Sequence, residues 1–114
     1  MSKIDDCTRL KHMLDAARKI SQYIQDETRT SLANDEKLAL ALVRLIEIVG
    51  EAASKVSKEK QAELGHMPWR EVIGMRNRIV HAYFEIDYDI VWDTATLNIP
   101  ALIDALEGAL AEES

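Results

Sequence analysis

The chain has 114 residues, of which 47% are apolar and 30% are charged, as is usual for one soluble globular domain. Its net charge of −6 excludes nucleic-acid binding through the surface as a whole, because a polyanion is bound by Lys and Arg that displace its counterions. Cys7 is the single cysteine, which excludes an intramolecular disulfide. With no leader-like start and no apolar run long enough to span a bilayer, the sequence predicts a cytoplasmic protein without a membrane anchor.

Steps of three and four residues separate the apolar positions of the first predicted helix, which covers residues 5–26. A polar connection follows, and Asn34 or Asp35 is placed to cap the second helix. This second helix has the most regular pattern in the chain, with the spacing of a packed bundle seam. The seam consists of Leu38, Leu42, Leu45, Val49, Ala52 and Val56.

The second helix is also apolar on more than one side. Leu40, Ile46, Ile48 and Ala53 widen its apolar surface beyond the seam. Such a pattern indicates contact with another subunit as well as with the helix's own core. Gly50 lies inside the helix at a cost of about 1 kcal/mol relative to Ala, and we expect it to permit the close approach of another helix.

Residues 54–65 are charged and polar, and they predict at most a short helix that stops at Gly65. Pro68 then suits the first turn of a third main helix, because its missing N–H is no loss there. We expect this third helix to cover residues 68–80.

Alternating aromatic and acidic residues interrupt the helical pattern at residues 84–89. Asp87 or Asp89 can cap a fourth main helix, which Pro100 must kink or divide because proline removes a helical hydrogen bond. Four main helices and a possible short one, joined by short connections, predict an all-α antiparallel up-and-down bundle in a single domain, residues 1–114.

The only basic segment of this acidic chain is residues 67–83. It contains a single acid, Glu71, against His81 and three arginines, Arg70, Arg76 and Arg78. Histidine exchanges protons near neutral pH, and the planar guanidinium of arginine binds phosphate and stabilises charge that develops on it. These residue types are enough to cleave RNA when the 2′-hydroxyl is the nucleophile, so the segment is the candidate site.

Helix geometry constrains how the residues of the basic segment can meet. Arg78 and His81 are three residues apart and would share one helix face. Arg76 and His81 would diverge by roughly 140° on a straight helix, so the helix must end or loosen near His81, or a second subunit must contribute. A purely structural alternative pairs both arginines with acids such as Asp87 or Glu85, while His81 caps the helix end.

The run 76–83 fits the pattern R-x-x-x-x-H-x-Y and resembles the motif of the HepT-like toxins in the HEPN superfamily. These proteins are the toxin half of the MNT–HEPN toxin–antitoxin pairs. The resemblance extends beyond the motif and covers roughly residues 38–110. The segments that carry it are 45–53, 68–70, 73–77 and 89–93.

This resemblance implies a HEPN-like helical bundle that forms a homodimer, with two copies of the motif in a shared cleft. It further implies an endoribonuclease that needs no metal and no cofactor. Arg76 and His81 would be the catalytic pair, with Asn77 and Arg78 as supporting residues. His81 would act as general acid or base, and Arg76 would stabilise the transition state at phosphorus.

Tyr83 carries a second implication of the resemblance. In related pairs an MNT-type nucleotidyltransferase antitoxin attaches AMP to this tyrosine, and the added anion would silence the RNA site. The structural alternative for Tyr83 is an interface aromatic. Two competing functions stay open: a non-catalytic helical dimer that binds the nucleotidyltransferase and is modified by it, and a purely structural dimer.

Overall fold

The computed structural model describes residues 5–82 and 85–113, and for residues 80–82 and 113 it describes the backbone alone. Within these ranges the chain is almost entirely helical. The helices are α1 (Asp6–Tyr23), α2 (Arg29–Ala33), α3 (Glu36–Lys55), α4 (Lys58–Glu63), α5 (Trp69–Ile79), α6 (Tyr88–Asp93) and α7 (Ile99–Glu113). Two short strands, β1 (Val80–Ala82) and β2 (Glu85–Ile86), follow α5.

The four long helices α1, α3, α5 and α7 form the bundle, which confirms the predicted all-α class. Helix α1 packs against both α3 and α7, and α3 packs against α5, so the spatial order is α7, α1, α3, α5. The short helix expected within residues 54–65 is α4. None of the helices in the described part of the chain is both long and apolar enough to cross a membrane.

Aspartate side chains cap the first turns of α3 and α6, at positions where the sequence predicts a helix start. The Asp35 carboxylate accepts a hydrogen bond from the Leu38 amide at 3.0 Å and begins α3, whereas Asn34 ends α2. The Asp87 carboxylate accepts from the Ile90 amide at 3.0 Å and begins α6. Of the two pairs of candidate caps, the structure therefore selects Asp35 and Asp87, because their side chains satisfy amides that have no partner inside the helix.

The core lies along the predicted seam of α3. Five of the six seam residues are buried, and Leu38 at the helix start is half-buried. The residues that widen the apolar surface divide into two groups. Ile46 and Ala53 lie in the core, whereas Leu40 is 52% exposed and points away from it. The second apolar side of α3 is therefore in part a solvent-facing surface.

Helices α3 and α5 approach each other closely at Gly50. A Cβ atom placed on Gly50 would lie 3.2 Å from the carbonyl oxygen of Ile73 and 3.3 Å from that of Val72. Both oxygens belong to the α5 backbone and cannot rotate away as a side chain would. The expectation that Gly50 permits close helix approach is confirmed.

The region before Pro100 shows how the chain accommodates a proline in its last long helix. Residues Thr94–Asn98 form a π-helical turn between α6 and α7, in which the Ile99 amide donates to the Thr94 carbonyl. Pro100 is then the second residue of α7. The helix is thus divided just before the proline, because the wider turn replaces the hydrogen-bond pattern that a proline interrupts.

Replacement of Gly50 by alanine should destabilise the protein by about 1 kcal/mol, because the new methyl group must push α5 away from α3. Gly108→Ala is the matched control: Gly108 is exposed on α7 and has no atom within 4 Å of its Cβ position. This control should gain about 1 kcal/mol from helix propensity. Urea unfolding of the two variants measures both changes, and an equal gain at both positions would contradict the close approach.

Candidate active site

The basic segment of the sequence lies where α5 ends. The helix stops at Ile79, whose carbonyl oxygen accepts a hydrogen bond from the Asp87 amide at 2.8 Å, and the chain continues as β1. Strand β1 pairs with β2 in an irregular antiparallel ladder, with Val80 opposite Ile86. This ladder was not predicted, because two or three residues are too few for an alternating pattern.

The end of α5 corrects one prediction and satisfies another. His81 lies in β1, so the expectation that Arg78 and His81 share a helix face is wrong. The condition set for Arg76 and His81 to converge, an end of the helix near His81, is met at Ile79. Since helix geometry stops two residues before His81, the divergence of roughly 140° on a straight helix no longer applies.

Arg76 pairs with an acid on the neighbouring helix. Its Nε lies 3.3 Å from Oε2 of Glu47 on α3, and the two side chains are 50% and 27% exposed. Arg76 thus pairs with an acid, as the structural alternative expects, but the acid is Glu47 and not Asp87 or Glu85. Glu47 holds one edge of the guanidinium, and the half-exposed side chain leaves room for a phosphate on its solvent side.

Sequence reasoning did not identify Glu47 as part of the candidate site. A signal was nevertheless present. Glu47 lies three residues before Gly50, so it is on nearly the same face of α3 as the glycine that contacts α5. An acid beside a close helix approach is well placed to meet a cation on the partner helix.

Arg76 and Asn77 line a shallow groove between α3 and α5 with a volume of about 170 Å³. The structure thus brings together the predicted catalytic arginine and one predicted supporting residue. The remaining lining residues are Glu47, Gly50, Glu51, Ser54 and Ile73. We call this groove the Arg76 groove.

Arg78 lies on the other flank of α5. Two residues along a helix correspond to a rotation of roughly 200°, so Arg76 and Arg78 point to opposite sides. Arg78 lines a different and larger groove, between α5 and α7. The structure does not place this predicted supporting residue with Arg76 and Asn77.

Two predicted site residues have no described side chain. His81 is placed by its backbone alone, in β1, and Tyr83 lies outside the described residues. What the structure establishes for His81 is its position just beyond the end of α5. The catalytic role of His81 and the modification of Tyr83 stay predictions.

The chain matches the protein-family model described as "Ribonuclease HepT-like" over residues 13–109. This range includes α3, α5, both strands and most of α7, and it contains the whole run 76–83. The match therefore covers the helices that build the bundle as well as the candidate site.

Several curated proteins are similar to this chain over most of their length. "Putative RNase TTE0752" from Caldanaerobacter subterraneus subsp. tengcongensis is 32% identical over 104 residues, which is 91% of this chain and 93% of that protein. "Probable ribonuclease HepT" from Thermococcus cleftensis is 30% identical over 93 residues, 82% of this chain and 84% of that protein. "Putative RNase MJ1380" from Methanocaldococcus jannaschii is 29% identical, with 94% of this chain and 98% of that protein covered. No solved structure gives a significant match.

Proposed function

The chain belongs to the HepT-like ribonuclease family, and from this premise we propose that it is an endoribonuclease in which Arg76 and His81 cleave RNA without a metal ion. The observation that carries the proposal is the half-exposed Arg76, held at the end of α5 next to the strand that contains His81. An arginine in this position can bind a scissile phosphate while a histidine beyond the helix end reaches the same group.

In the proposed reaction the 2′-hydroxyl oxygen of the RNA attacks the adjacent phosphorus, and the bond to the 5′-oxygen of the next nucleotide breaks. His81 exchanges protons with these oxygens: the 2′-hydroxyl loses a proton and the leaving 5′-oxygen gains one. Arg76 stabilises the negative charge that develops on the phosphoryl oxygens. The products are a 2′,3′-cyclic phosphate and a 5′-hydroxyl, and no metal is needed to balance the step.

Glu47 acts in this proposal as the residue that positions Arg76. A free arginine side chain samples many rotamers, and ordering it costs about 2 kcal/mol of side-chain entropy. The contact between Glu47 Oε2 and Arg76 Nε restricts that freedom before RNA binds. Because the pair is partly exposed, its contribution to protein stability is small, about 1 kcal/mol or less.

We further propose that the protein is a homodimer that joins two Arg76 grooves. Two exposed apolar side chains at or near this groove, Leu40 and Ile73, support the proposal. Leu40 precedes Glu47 by two helical turns on α3, and Ile73 precedes Arg76 by one turn on α5. An interface centred on Leu40 and Ile73 would bury both and bring two basic motifs together.

The family relationship also supports a role as the toxin of a toxin–antitoxin pair. In this proposal an MNT-type nucleotidyltransferase antitoxin transfers AMP to Tyr83, two residues after His81. The added phosphate would compete with RNA for Arg76 and neutralise its charge. The proposed inactivation thus acts directly on the catalytic site.

A second candidate function, a non-catalytic dimer that only binds and is modified by the nucleotidyltransferase, is favoured by one observation. The charge of Arg76 is already compensated by Glu47, as it would be in a structural ion pair. Cleavage assays on the unmodified protein separate this candidate from the nuclease, because a binding module would cut no RNA.

Purified, unmodified protein should cleave RNA in the presence of EDTA, and Arg76→Ala and His81→Ala should each lower the rate by at least about 100-fold. Arg18→Ala and His12→Ala are the matched controls, since both residues are exposed on α1 and neither lines the Arg76 groove. A gel assay with a labelled RNA measures the rates. Loss of activity in EDTA, or full activity of His81→Ala, would contradict the mechanism.

Leu40→Glu should convert the dimer to a monomer, because it places a carboxylate at the centre of the proposed interface. Leu97→Glu is the matched control: Leu97 is even more exposed, at 68%, but lies on the α7 side of the protein. Light scattering during size-exclusion chromatography measures the mass. A monomeric wild type, or a Leu40→Glu variant that stays dimeric, would argue against this interface.

Incubation with the nucleotidyltransferase and ATP should add the mass of AMP to the wild-type protein and add none to Tyr83→Phe. Tyr23→Phe serves as the control, because Tyr23 is an exposed tyrosine at the end of α1. Intact-protein mass spectrometry measures the addition. Modification of the Tyr83→Phe variant to the wild-type extent would place the acceptor elsewhere.

A further inference from the structure

A groove between α5 and α7 has no part in the proposed function. Its volume is about 350 Å³, which lies within the range of small-molecule binding sites. Apolar side chains form its floor and walls, and polar side chains lie on its rim. We call it the Arg78 groove, after the cation that lines it.

The floor of the Arg78 groove is apolar and well packed. Val72, Met75 and Leu102 are each 3% exposed or less, so their positions are fixed by the core beneath them. Ala101 and Ala105 on α7 are small and leave the space above the floor open. A surface of this kind favours the flat face of a ring system over a charged group.

Charge is distributed unevenly along the groove. Glu71 and Arg78 are seven residues apart on α5, which places them on one helix face about 10 Å apart along the helix axis. Among the described residues, Arg78 has no carboxylate within ion-pair distance. A ligand therefore meets a cation at one end of the groove, a carboxylate at the other and an apolar floor between them.

The polar side chains have the chemistry to bind a nucleotide. The guanidinium of Arg78 binds phosphate, and the carboxylate of Glu71 accepts hydrogen bonds from an exocyclic amino group of a base. Asn98, also on the rim, offers both a donor and an acceptor to a base edge. The separation of Glu71 and Arg78 corresponds to the length of one nucleotide from phosphate to base edge.

From these contacts we propose that the Arg78 groove binds one nucleotide of single-stranded RNA that flanks the cleavage site. The phosphate lies at Arg78, the base packs on Val72 and Met75, and Glu71 selects a base with an amino group. The inference rests on the proposed function, since it requires RNA to be bound for cleavage. Arg78 lies on the last turn of α5, next to the strand that contains His81, so the groove is near the proposed cleavage site. Uracil has no exocyclic amino group and is the disfavoured base.

The first test measures the binding of CMP and of UMP to the wild-type protein. Binding is monitored by the changes in the NMR chemical shifts of the backbone amides. CMP should shift amides on α5 and α7 around Met75 and Leu102 and bind at least about 5-fold more tightly than UMP. Glu71→Gln should reduce this difference to less than 2-fold, because its neutral amide offers both donors and acceptors. Equal affinities for CMP and UMP in the wild type, or shifts confined to other elements, would overturn the proposal.

The second test fills the groove. Ala101 is exposed and lines the groove, so Ala101→Trp adds bulk there without disturbing the core. Ala111→Trp on the same helix is the matched control, since Ala111 is exposed and lies outside the groove. Ala101→Trp should weaken CMP binding at least 10-fold and remove the base preference flanking the cut in an RNA library, whereas Ala111→Trp should do neither.

These outcomes distinguish a failure of the nucleotide-binding proposal from a failure of the proposed ribonuclease function. CMP that binds in the groove of a protein that cuts no RNA would leave the binding site standing and overturn the proposed function. A nuclease whose base preference is unchanged by Ala101→Trp would leave the function standing and overturn the groove. Loss of dimer or nucleotidyltransferase binding in Ala101→Trp, with base preference intact, would assign the groove to a protein partner and contradict the proposal.

Discussion

The close approach of α3 and α5 at Gly50 is the constraint on which the candidate site depends. Because no side chain separates the helices there, the α5 backbone lies within van der Waals distance of α3. Glu47, one turn before Gly50, then meets Arg76, one turn after Ile73. A wider helix pair would move the guanidinium away from Glu47. The residue that bears no side chain thus determines where the charged side chains meet.

Helix α5 presents two different surfaces, and in the proposed function these surfaces let an acidic chain bind RNA. Arg76 and Asn77 face α3, whereas Arg78 faces α7. With a net charge of −6, the protein cannot bind a polyanion over its whole surface. We propose that the chemical step takes place at the Arg76 groove and that the Arg78 groove selects the nucleotide. In this proposal, two local contacts replace the broad basic face of a typical RNA-binding protein.

The sequence predicted the bundle well because helices repeat every 3.6 residues, and buried positions such as Leu42 and Val49 recur at that spacing. Side-chain pairs between different helices were harder to predict from the sequence. The partner of Arg76 lies 29 residues earlier in the chain, and the packing at Gly50 brings the two residues together. The opposite orientation of Arg78 follows from helix geometry. A linear sequence motif does not show this orientation, because it groups residues by their position in the chain and not by helix face. The spacing of apolar residues predicts the helices, whereas tertiary contacts determine which side chains pair with each other.

The central claim, that RNA is cleaved by its own 2′-hydroxyl with help from Arg76 and His81, is tested most directly by one modified RNA. The measurement compares, in EDTA, an all-ribose oligomer with the same oligomer carrying a single 2′-deoxyribose on the 5′ side of the cut. We expect cleavage of the first, with a 2′,3′-cyclic phosphate at the new end, and no cleavage of the second at that position. Equal cleavage of both oligomers would contradict it.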